Sequence, residues 1–119
     1  MARLTDPERL ANYGTALRNW ECSGVISYTR RADEWIRENL SRCTQVTLNN
    51  LLYDYIFKHG GYIDEVVESR EDWKKEWEFH HDMRIPFRGK TLYFETRLCW
   101  NPFDTKVDPT IIVANVHWA

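Results

Sequence analysis

The chain lacks a basic excess. Its 119 residues carry 16 Lys and Arg against 18 Asp and Glu, a formal charge of −2. Bulk attraction to nucleic acid is therefore absent, and any contact with RNA has to come from a local patch. It also lacks a cysteine pattern. Cys22, Cys43 and Cys99 are odd in number, far apart and without redox or metal-ligand spacing, which argues against a disulfide framework or a zinc site built on them. Reduced, partly buried thiols are the expectation. No apolar run approaches membrane-spanning length, and the opening MARLTDPERL has no apolar core of a signal peptide. A cytoplasmic protein without membrane partners is expected. With no Gly-x-Ser-x-Gly and no phosphate-cradling glycine loop, serine-nucleophile chemistry, nucleoside triphosphate hydrolysis and dinucleotide binding find no support. The sequence implies no cofactor.

What is present is a folded chain of 43% hydrophobic and 14% aromatic residues, six of them Trp. Its length suits one domain with a single core. The first part reads as three helices. Thr5-Asp6-Pro7-Glu8 supplies a cap, a first-turn proline and an acidic start, after which Leu10, Tyr13, Leu17 and Trp20 recur at helical spacing up to Gly24. Val25–Thr29 reads as a short strand or extended connection. Thr29 caps a second helix through Leu40, and Thr47 a third that His59-Gly60-Gly61 ends.

After Gly61 the period becomes two. Four candidate strands follow, 66–70, 79–85, 92–98 and 111–117, with Arg88-Gly89-Lys90 as a tight hairpin turn. The charged segment 71–77 forms an excursion carrying Trp73 and Trp77, and residues 101–109 a long loop. Helices first and a meander after them define an α+β domain spanning 1–119, with a helical part over about 1–61 and a four-stranded antiparallel sheet over about 62–119. The helices are expected on one face of the sheet.

Alternation along a strand assigns side chains to faces. One face takes Val67, Phe79 or His81, Met83, Ile85, Leu92, Phe94 and Leu98. The other takes Glu68, Arg70, His80, Asp82, Arg84, Tyr93, Glu95, Arg97 and, with the last strand in phase, Asn115 and His117. A solvated face is commonly written with Lys, Thr, Ser and Glu; this one is written with residues that bind anions and move protons. Cleavage of a phosphodiester by the neighbouring ribose hydroxyl needs a base, a phosphate-holding cation and an acid. Glu68 or Glu95 suits the base, Arg84 and Arg97 the clamp, and His80 or His117 the acid. Arg70, Tyr93 and Arg31 are candidates for substrate binding. The plain alternative is a solvated face of cross-strand ion pairs. A two-His, one-carboxylate metal set of His80, Asp82 and His117 is a further alternative, but no close ligand spacing supports it, and no metal is assigned.

The layout resembles that of the RelE-like toxin ribonucleases, which are related to the barnase-type fold, and more nearly that of small BrnT-like proteins. In the latter a Phe-Ser-x-His-Ala-x-x-Arg segment leads into a helix. Here Ile26-Ser27-Tyr28-Thr29-Arg30-Arg31-Ala32 through Trp35 holds the corresponding place, with Arg31 where that pattern has histidine. Glu68-Ser69-Arg70, Tyr93-Phe94-Glu95-Thr96-Arg97 and Val113-Ala114-Asn115-Val116-His117 are similar to its later strands. The resemblance implies a metal-independent ribonuclease toxin paired with an antitoxin. A non-catalytic module of the same fold, recognising a protein or anionic ligand, is the rival expectation, and a second copy of the chain is a further candidate partner.

Overall fold

The computed structural model describes residues 2–104 and 106–119. Its elements are β1 (Ala2–Arg3), α1 (Pro7–Arg18), β2 (Ile26–Tyr28), α2 (Arg30–Asn39), α3 (Gln45–Phe57), β3 (Asp64–Val67), α4 (Glu71–Lys74), β4 (Phe79–Phe87), β5 (Lys90–Cys99) and β6 (Thr110–Trp118). The class is α+β. Among the described residues the sheet has six strands rather than the expected four, in the order β1-β3-β4-β5-β6-β2, and it is mixed because β2 runs parallel to β6. The two added strands are the edges. β1 is too short to show a period, and β2 takes its place through a long-range pairing of Ile26–Tyr28 with Ile111–Val113.

Caps set the helix starts. Asp6 accepts a hydrogen bond from Arg9 N at 2.8 Å, and Thr29 Oγ1 accepts one from Ala32 N at 3.2 Å. The third helix begins earlier than the sequence suggested. Its cap is Thr44, and Thr47, expected as the cap, instead donates its backbone N–H to the Thr44 hydroxyl. Arg88 and Gly89 both have positive φ and join β4 to β5 in a two-residue turn, the geometry that matches the twist of paired strands.

The helix-facing side of the sheet supplies Met83, Ile85, Leu92, Phe94, Ile111, Val113 and Val116. These meet Tyr13, Ala16 and Leu17 of α1, Ala32 and Ile36 of α2, and Leu48 and Leu52 of α3 in one core. The strand phase that put these residues inward also sends His81 inward, edge-on to the Tyr13 ring at 5.2 Å. One expected core residue departs. Val67 ends β3 near the sheet margin, where β1 no longer pairs, and is 68% exposed.

A bulge in β6 shapes the far margin. Glu95 pairs with Asn115 but Thr96 pairs with Val113, which leaves Ala114 as the extra residue. The Ala114 carbonyl accepts from Thr29 Oγ1 at 2.8 Å, tying the start of α2 to the bulge. Helix α2 then passes beside the last part of β6, with Trp35 edge-on to Trp118 at 5.8 Å.

Candidate functional site: the polar sheet face

The strand ladder sorts the polar residues into rows. Asp64, Asp82, Glu95 and Asn115 stand opposite one another on β3, β4, β5 and β6, and Arg84, Tyr93 and His117 form the next row. Three carboxylates side by side on neighbouring strands repel, so each needs a partner. Arg84 donates to Asp64 at 2.7 Å. Asp82, buried, accepts from Tyr93 Oη at 2.6 Å and bonds His80 Nδ1 at 2.7 Å. Glu95 accepts from Arg97 at 2.9 Å and from both Nη atoms of Arg70 at 3.2 Å.

The face has two unlike ends. At the end near α4, Arg97 is wholly buried and bridges Glu95 to Glu68, the latter at 2.6 Å. The Trp73 ring covers its guanidinium at 4.6 Å, and its Nε–H has no hydrogen-bond partner among the described residues. Trp77 Nε1 donates to the Leu98 carbonyl at 3.2 Å, pinning the 71–77 excursion to β5. Glu68, Glu95 and Arg97 thus form an enclosed ion cluster. Arg70, 48% exposed at its side chain, is its outer member.

The other end is open. Arg84 is 39% exposed at its side chain and lies 5.3 Å over the Tyr93 ring. Tyr93 stacks on His117 at 4.6 Å. Burial, reinforced by the Asp82 carboxylate it bonds, pushes the Tyr93 hydroxyl well above its ordinary pKa, so it stays a hydrogen-bond donor at neutral pH. His117 Nδ1 lies 2.9 Å from the Trp118 carbonyl. Since a carbonyl only accepts, Nδ1 carries the proton and Nε2 is left for proton exchange. The same logic applies to His80, whose Nδ1 is committed to the Asp82 carboxylate. Next to His117 a cleft of about 270 Å³ runs between β6 and α2, lined by Arg31, Glu34, Trp35, Glu38, Asn115 and His117.

The structure therefore gathers Arg84, Tyr93, His117 and Arg31 at the open end and Glu68, Arg70, Glu95 and Arg97 at the closed one; Asp82 stands between them, and His80, in the row of Arg97, reaches it from the closed side. Two features were missed by the sequence reading. Asp82 is the hub that holds both Tyr93 and His80, although strand alternation had placed it on this face; and α2 contributes a cleft wall because of a bulge that no pattern announces. Among the described residues no group of three or more His, Cys, Asp or Glu is arranged to hold a metal ion, and no helix is long and apolar enough to cross a membrane. Compared with protein-family models, curated proteins and solved structures, the chain matches none of them.

Proposed function

We propose that the polar sheet face binds RNA phosphate and cleaves the chain without a metal, as a RelE- or BrnT-like toxin ribonuclease held in check by an antitoxin. The observation that carries this reading is the buried Asp82 carboxylate bonding His80 and Tyr93 at once, with Arg84 and His117 against the same Tyr93 ring. A carboxylate that fixes one imidazole nitrogen orients the other for proton transfer and stabilises the imidazolium that forms.

On this reading His80 Nε2 takes the proton of a ribose 2′-OH, O2′ attacks phosphorus, and the bond from phosphorus to O5′ breaks. Protonated His117 gives its proton to the leaving O5′. The products are a 2′,3′-cyclic phosphate and a 5′-hydroxyl. Arg84, with Arg70 and Arg31 at the margins, holds the non-bridging oxygens. Burial of Glu68, Glu95 and Arg97 moves the base and clamp roles away from them, and leaves them to position the strands.

The test is incubation of chelator-treated protein with end-labelled RNA, beside His80→Ala and His117→Ala. Fragments ending in cyclic phosphate, reduced about 10²- to 10⁴-fold by either substitution, are the expected result. Intact RNA with folded wild-type protein, together with normal growth of cells induced to express it, overturns the proposal. One observation favours the rival, a non-catalytic module for a protein or anionic ligand: Arg70, Arg84 and Arg97 are all paired with carboxylates of the face itself. That module would capture its ligand unchanged and leave RNA whole.

A further inference from the structure

On the helix-facing side of the sheet, away from the polar face, β4 places His81 at a second cleft of about 240 Å³. Its floor and walls include His81, Phe79, Trp77 and Trp100, and its rim carries Glu76 and Glu78. His81 is 4% exposed. Its Nε2 lies 3.0 Å from Glu65, and desolvation by burial lowers its pKa, so the ring is neutral and Nε2–H is the donor to that carboxylate. Nδ1 is then a lone-pair acceptor, and it is buried without a hydrogen-bond partner among the described residues. A buried polar atom left unpaired is costly and rare.

The rest of the cleft favours one kind of donor. Two exposed carboxylates at the rim and an indole-rich wall attract positive charge through Coulomb and ring-quadrupole effects. The wall already holds a guanidinium: Arg9 sits 5.0 Å over the Phe79 ring while donating to Glu65 at 3.3 Å. Arg9 is thereby neutralised by Glu65, whereas among the described residues no ion pair engages Glu76 or Glu78. Trp77 is held in place by its bond to the Leu98 carbonyl.

We propose that this cleft is a binding site for an organic cation, a guanidinium or protonated amine that seats against Trp77 and Trp100, is neutralised by Glu76 and Glu78, and approaches His81 Nδ1 as a hydrogen-bond donor. The cation is either a free small molecule or an arginine side chain of a partner protein. The site is independent of the ribonuclease reading, because none of its residues has a part in the proposed cleavage.

The experiment is a nuclear magnetic resonance titration of the whole chain, following the six tryptophan indole signals and the His81 ring nitrogens. Agmatine and N-acetyl-arginine amide are the two cationic probes, with butylurea as a neutral control and inorganic phosphate as an anionic one. Saturable shifts at Trp77, Trp100 and His81 by a cationic probe at about millimolar affinity, and by neither control, are expected. Preference for agmatine indicates a free diamine-like ligand; equal or better binding of the capped arginine indicates a partner side chain. The double variant E76Q/E78Q, on exposed positions that do not threaten folding, should weaken binding at least about tenfold. His81→Phe keeps a ring against Tyr13 and should weaken it further. No saturable shift with either cation, equal shifts with butylurea, or unchanged affinity in E76Q/E78Q overturns the proposal.

Discussion

At one end of the polar sheet face Arg97 has no exposed surface and bridges two buried glutamates beneath Trp73; at the other, Arg84 pairs with Asp64 while over a third of its side chain meets solvent. The residue types are the same and the strands are the same. What differs is cover: α4 and its flanks lie over the first end, whereas at the second Arg84 keeps over a third of its side chain in solvent. Cover changes what a guanidinium does. Enclosed, it is the counter-charge that lets two carboxylates stay ionised away from water. Open, it adds little to stability and keeps the exposure that an incoming anion requires.

The largest effect that tests this contrast is loss of Arg97. Arg97→Ala strands Glu68 and Glu95 in the interior and should cost about 3–5 kcal/mol, read from chemical denaturation. The combined change of Arg97→Met with Glu68→Gln and Glu95→Gln removes the charges together and should recover most of that loss. If Arg97→Ala alone costs under about 1 kcal/mol, the closed end is not closed in solution. Next in size comes the hub between the ends. Asp82→Asn preserves shape but substitutes an amide for a carboxylate that accepts from Tyr93 and holds His80, and should cost about 1–3 kcal/mol. On the proposed mechanism it should also lower cleavage as His80→Ala does.

His81 provides a calibration from the opposite side of β4. Desolvation lowers its folded pKa and Arg9 adds to that, while Glu65 and Asp82 act to raise it. The unfolded chain takes up this proton near pH 6.5 and the folded chain only at lower pH. Stability should therefore be unaffected by His81 above that value and decline as pH falls below it. As pH falls from about 8 to about 5.5, the melting temperature of the wild type should drop relative to that of His81→Phe. Parallel curves would mean that the ring is not held neutral.

How much of this was legible beforehand follows from what a period of two encodes. Alternation put Met83, Ile85, Leu92 and Phe94 inward and Asp82, Arg84, Tyr93 and Glu95 outward, because sterics alone fix which face a strand residue takes. It carried no information on depth. Glu68, Glu95 and Arg97 share the polar face but are buried, since a four-residue helix from outside the strands lies over them. Val67 illustrates the converse: an inward phase at an uncovered margin still leaves a side chain in solvent. The sheet count fell short for another reason: β1 was not read, and β2, read as a short strand or extended connection, was not placed in the sheet. Two and three residues are too few to show a period, and their pairing partners lie some 60 to 85 positions away. The α2 cleft was hidden likewise, because the bulge at Ala114 is a property of two strands in register, not of either alone.

The smallest stability effect is the most informative about function. Arg84→Ala removes the half-exposed ion pair with Asp64 and the contact over the Tyr93 ring, together worth about 1 kcal/mol, and should shift the denaturation curve far less than Arg97→Ala. Arg70→Ala should behave alike, because Glu95 retains Arg97 at 2.9 Å. If the open end receives phosphate, Arg84→Ala should nonetheless weaken binding of a short RNA about tenfold or more, the scale of a lost charge-assisted hydrogen bond. Its salt dependence should become shallower by about one phosphate contact. Arg70→Ala, at the edge of the closed cluster, should lose less. An Arg84→Ala protein that binds RNA as the wild type does would detach stability and anion binding alike from the open end, and the contrast between the two guanidiniums would then be one of packing alone.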